Sequence, residues 1–205
     1  MIFRNLRESS ESEPDLQQRL ESLERQAEIA LPGSDAQFYN RAGDLCIEAG
    51  RSPGALEYYG RAIDAYLQAG RYNAAGAVCR KLLRISPGAV RARCTLAWLS
   101  IGKGLLGDAR REVDDYVAAA VAAGEEGLAR TQLRLMADAS ADRELRALLA
   151  EHLRKLGDTD TAERIMATDP VADGSPDEIE ARWTQVVEAA LMGPAELRDE
   201  DREEG

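Results

Sequence analysis

The sequence predicts an all-α fold, a solenoid in which antiparallel helix pairs stack to about ten helices. Three observations predict it. Ser52-Pro53-Gly54-Ala55-Leu56 returns 34 residues later as Ser86-Pro87-Gly88-Ala89-Val90. Glycine and alanine keep the same offset, Gly70 with Gly104 and Ala75 with Ala109. The apolar–polar alternation of a half-buried strand is absent throughout.

The elements follow in order. The first, 14–30, places Leu16, Leu20, Leu23 and Ala27 at 4-3-4 spacing, an apolar stripe two heptads long. Next comes 35–49, closed by Ala49-Gly50-Arg51. Two repeat units then run from 52 to 85 and from 86 to 119. In each, a serine (Ser52, Ser86) caps the helix amides and a proline (Pro53, Pro87) takes the first turn, where a missing N–H costs nothing. These signals predict helices 53–69 and 87–102. Gly70 and Gly104 end them in the left-handed conformation. Helices 72–85 and 105–123 follow, with Ala75 and Ala109 as the small side chains that let two helices approach closely. Helices 125–138, 141–156, 159–168 and 176–192 complete the series. The last carries the stripe Ile179, Trp183, Val186, Val187, Ala190 and Leu191.

Four stretches result: an acidic flank with one amphipathic helix (1–35), a repeat domain (36–168), a linker and amphipathic capping helix (169–193), and an acidic disordered tail (194–205). The two end stripes are expected to cap the open ends of the stack, as repeat arrays require. Oligomerisation through them is the other use they allow.

Tyr59-Gly60-Arg61-Ala62-Ile63, Tyr66, Gly70-Arg71-Tyr72, Ala75, Cys79, Leu82 and Pro87 together resemble a tetratricopeptide repeat in the order bulky, small, glycine, alanine, bulky, proline. The second unit fits through Leu96, Ala97, Gly104, Ala109, Val113 and Tyr116, without a closing proline. A third partial match is Leu149, Ala150, Gly157, Ala162 and Met166. The tight turns Ala49-Gly50-Arg51 and Ala69-Gly70-Arg71 also resemble the soluble-attachment-protein type of helical repeat. The resemblance covers 36–168, most fully 52–119. It implies a right-handed superhelix whose first helices line a concave groove, and a non-catalytic adaptor or scaffold that holds a partner's peptide or helix there. On that analogy the groove residues are Asn40, Arg61, Asp64, Arg91, Thr95 and Trp98. Trp98 is either a rigid aromatic anchor or the filler of an alanine-rich core.

Charge narrows the partners. The 205 residues carry 26 Lys+Arg and 37 Asp+Glu, a formal net charge of −11, and this argues against coating nucleic acid. The flanks hold most of it, −4 over 1–35 and −8 over 170–205, whereas 36–169 is +1. Within 71–111 nine basic groups face Asp108 alone. This basic stripe, represented by Arg80, Lys81, Arg84 and Arg93, is either a solvated arginine face or the seat of an acidic segment. That segment would be a partner's, or the chain's own 196–205 tail competing for the stripe.

Chemistry finds less support. His152 is the single histidine, with Leu148, Leu149, Lys155 and Leu156 beside it on a helix face. Cys46, Cys79 and Cys94 are odd in number, lack metal spacing and suit reduced core positions. Gly102-Lys103-Gly104-Leu105-Leu106-Gly107 matches a dinucleotide pattern but lacks the preceding strand it needs. Asp169, Asp173, Gly174, Ser175, Asp177 and Glu180 have the spacing of a calcium loop, yet Val171 and Pro176 break it. Ser175-Pro176-Asp177-Glu178 explains the same residues as a capping box. No catalytic residue, cofactor or metal is therefore expected. The N-terminus lacks an apolar signal segment, and no run reaches the about 20 apolar residues of a membrane span. A cytoplasmic protein without membrane insertion is expected.

Overall fold

A computed structural model describes residues 13–31 and 33–168. Among them all regular structure is helical: α1 (Glu13–Glu28), α2 (Ala36–Glu48), α3 (Ser52–Gln68), α4 (Tyr72–Ile85), α5 (Val90–Gly102), α6 (Leu106–Ala123), α7 (Glu126–Ala139), α8 (Arg143–Lys155) and α9 (Thr159–Ala167). Each consecutive pair within a unit packs together, as a helical repeat solenoid requires. The expected helix 176–192, the calcium-like loop and the acidic tail lie outside the described residues.

The chain divides into two compact units, Met1–Ile85 and Ser86–Gly205. In the first, α1 packs on α2, and its stripe Leu16, Leu20, Leu23 and Ala27 is buried. Side chains also reach past the nearest helix. Glu24 of α1 meets Tyr58 of α3, and Asn40 and Asp44 of α2 meet Lys81 of α4. Odd and even helices thus form two layers.

The second unit repeats this plan. Trp98 of α5 bonds Gln132 of α7, and Arg110 of α6 pairs with Glu144 of α8. Its core runs through Trp98, Tyr116, Leu133, Met136, Leu145, Leu149 and Leu153, all fully buried. Ala75 in the first unit and Ala109 in the second show no exposed surface, which fits the close approach expected of them.

Helix ends follow local chemistry. Gly70 has φ 66°; its N–H donates to Leu67 O at 3.0 Å, and the Arg71 N–H to Tyr66 O at 2.8 Å. Gly104, φ 68°, ends α5 through the same two bonds, to Ile101 O and Ser100 O. A left-handed residue satisfies two orphan carbonyls at once, and glycine adopts that conformation without strain. The same bond pair closes α2, α6 and α8.

The two Ser-Pro-Gly segments differ, contrary to expectation. Ser52 is the first residue of α3, with Pro53 in the first turn, and the cap position falls to Arg51, which makes no side-chain cap bond. Ser86-Pro87-Gly88-Ala89 instead forms a turn of its own ahead of the helix. The Ala89 N–H donates to Ser86 O at 3.1 Å, and Arg93 Nε to Pro87 O at 2.8 Å. Helix α5 therefore starts at Val90 rather than at 87.

Candidate functional site

A polar packed arrangement of the first unit lies where α2, α3 and α4 meet. Tyr59 is 3% exposed, and its hydroxyl donates to Asp44 Oδ1 at 2.6 Å. Its ring lies against Gly43 so closely that a Cβ there would stand 2.5 Å from Cε1. Asp44 also accepts from Lys81 Nζ, at 2.7 Å to Oδ1 and 2.9 Å to Oδ2. The same ammonium donates to Asn40 Oδ1 at 3.0 Å and stands 5.6 Å from the Tyr59 ring centre. Burial, then the bond to Asp44, pushes the Tyr59 phenol well above its ordinary range. Asn40 and Lys81, read from the sequence as members of different surfaces, belong to one.

Arg61 belongs to a separate cluster. Its guanidinium lies 4.1 Å from the Tyr39 ring centre, donates to Tyr39 Oη at 3.0 Å and reaches Glu24 Oε1 at 3.3 Å. Tyr58 donates to the same Glu24 oxygen at 2.9 Å. Arg61 is thus tied to α1 and α2 while its side chain stays 41% exposed. Asp64 stands half-buried on α3.

In the second unit two expected groove residues are corrected. Trp98 is 0% exposed and Thr95 1%, so neither meets a ligand from solvent. The cause is the composition of α5, where Ala92, Cys94, Leu96, Ala97, Leu99 and Ile101 make the helix apolar all round. Trp98 fills the alanine-rich core, with Nε1 donating to Gln132 Oε1 at 2.7 Å. Thr95 returns its hydroxyl to Arg91 O at 2.9 Å. Arg91 is half-buried.

The basic stripe resolves residue by residue. Lys81 is tied to Asp44, Arg93 to Asp115 at 3.0 Å, Arg110 to Glu144, and Arg111 to Asp108 at 3.0 Å. Most of these carboxylates lie outside 71–111, so the window's charge is cancelled by residues that folding brings in. Arg80 and Arg84 differ. They stand exposed one turn apart on α4 and form no ion pair among the described residues.

Other chemistry-bearing residues are engaged. His152 is 8% exposed, and its Nε2 lies 2.7 Å from Asp114 Oδ1. The three cysteines are buried, and burial pushes the Cys94 thiol up to about 12. No cluster of three His, Cys, Asp or Glu suited to a metal occurs among the described residues. None of the described helices is long and apolar enough to cross a membrane.

Sequence reading missed Asp44, Gln132 and Arg146. Arg146 is 7% exposed, and its guanidinium donates to Ala137 O at 2.6 Å, Ile165 O at 3.1 Å and Thr168 O at 3.3 Å. The one signal for Gln132 was its place 34 residues after Trp98. For Arg146 there was none.

A family model described as a tetratricopeptide repeat matches residues 66–129. No curated protein matches the chain.

Proposed function

We propose, for a chain with tetratricopeptide-repeat sequence over 66–129, a non-catalytic adaptor that receives an acidic peptide of a partner protein on the α2–α4 face of its first unit. The repeat itself suggests protein–protein interaction in general. The pair Arg80 and Arg84, exposed and without an ion pair among the described residues, carries the finer reading. Guanidiniums one helical turn apart suit carboxylates at matching spacing. Beside them Asp44 and Asn40 clamp Lys81, which gives the face a fixed edge of hydrogen-bonding groups.

The test is titration of a labelled Asp/Glu-rich peptide with the full chain and with Arg80→Glu/Arg84→Glu. Loss of both cations is expected to weaken binding by at least about tenfold and flatten its salt dependence. Equal affinity and equal salt dependence in the two proteins would overturn the assignment.

A further inference from the structure

The second unit has a cleft at the end where α5 turns into α6 and α7 into α8. Its volume is about 280 Å³, and Ile101, Leu106, Ala139, Ala141 and Leu145 supply apolar walls. Seven large hydrophobic side chains are exposed among the described residues, and three share this end: Leu105 at 48%, Leu106 at 37% and Met166 at 52%. Leu105 and Leu106 stand at the α5–α6 turn. Met166 is in the last turn of α9, which reaches the same end because successive helices run antiparallel.

The last described residue is here too. Arg146 joins Thr168 O and Ile165 O to Ala137 O through one guanidinium, so the end of α9 is fixed beside the end of α7. Ala139, Ser140, Ala141 and Asp142, which follow directly, line the cleft. The chain continues from this point with 37 further residues, and they carry the stripe Ile179, Trp183 and Val186. Ten residues separate Thr168 from Ile179, a reach of about 33 Å when extended. The cleft lies about two helix spacings away, roughly 20 Å.

We infer that the cleft is the docking site of this chain's own Ile179–Trp183–Val186 stripe. The amphipathic segment then covers the α5–α6 and α7–α8 turns of its own unit, and Leu105, Leu106 and Met166 are its apolar contacts.

The chain has two tryptophans, so 5-fluorotryptophan gives the intact protein two fluorine resonances, assigned through Trp183→Phe. Docking requires the Trp183 resonance to move toward its unfolded position in Leu106→Glu and in Ala141→Glu, while the Trp98 resonance stays. A nitroxide on Leu106→Cys, which leaves no charge in the cleft, must broaden the Trp183 line. The proposal is overturned if the line ignores both cleft variants and the nitroxide. It is equally overturned if the line answers Met166→Glu alone, which seats the stripe on α9, or if the response vanishes on dilution, which assigns the cleft to a second copy.

Discussion

The indole Nε1 of Trp98 donates to Gln132 Oε1 at 2.7 Å across 34 residues, one repeat period, and both side chains are buried. Cys94 Sγ lies 3.6 Å from the same oxygen. Gln132→Leu is expected to strand the buried indole N–H and cost about 1–3 kcal/mol. Adding Trp98→Phe removes the stranded donor, so the double variant should lose less than the two single losses together. Denaturant titration followed by circular dichroism measures all three.

Gly43 and Gly60 give opposite expectations for one substitution. A Cβ at Gly43 would stand 2.5 Å from a Tyr59 ring that is buried and bonded at its hydroxyl. Gly43→Ala should therefore destabilise by about 1 kcal/mol net, overpacking outweighing the gain in helix propensity. At Gly60 nothing lies within 4 Å, and Gly60→Ala should stabilise by about 0.5–1 kcal/mol. Equal denaturation midpoints for the two would contradict the close approach at Gly43.

Arg146→Leu should cost about 3 kcal/mol, because three carbonyls lose a buried cationic donor and Ala137 O keeps only the Ser140 N–H at 3.3 Å. Hydrogen exchange locates the effect: faster exchange is expected at the end of α7 and throughout α9. A loss confined to the middle of α8 would point to packing alone.

Arg80→Glu/Arg84→Glu should leave stability within about 0.5 kcal/mol, since both side chains are exposed and unpaired among the described residues. Lys81→Met should lower it by up to about 1 kcal/mol. That pair is only partly shielded, with side-chain exposures of 30% and 42%. Thermal unfolding of the two variants separates the exposed cations from the clamped one.

Alkaline pH should weaken the fold. Burial raises the Cys94 thiol from 9.0 to about 12, and raises the Tyr58, Tyr59 and Tyr116 phenols beyond their usual range. A raised folded-state pKa keeps its stabilisation below the unfolded value and loses it as pH climbs toward the folded one. For Cys94 that window is pH 9 to 12. Stability should fall there by up to about 1.4 kcal/mol per pH unit from the Cys94 thiol. The chain compared with Cys94→Ala at pH 8 and pH 10.5 checks it, the variant giving the shallower slope.

Local signals carried the fold. Gly70 and Gly104 stop helices for reasons confined to six residues, and the 34-residue recurrence of Ser-Pro-Gly-Ala marked the unit length. The start of α5 was misplaced because the same tetrapeptide acts differently after a glycine turn than after a bare helix end. The surface was harder to read. Lys81 finds Asp44 37 residues upstream, and Arg110 finds Glu144 34 residues downstream. A running charge sum over 71–111 is blind to both. Trp98 showed neither of its two readings in sequence, because only the apolar surround of α5, completed by folding, decides that it is core.

The bonds that join alternate helices, from Tyr58–Glu24 to Lys81–Asn40 and His152–Asp114, span between 34 and 41 residues. Each can close as soon as little more than one repeat has left the ribosome, without waiting for a distant terminus. The protein is thus suited to acquiring structure vectorially during synthesis, with each new helix templated on the pair just before it.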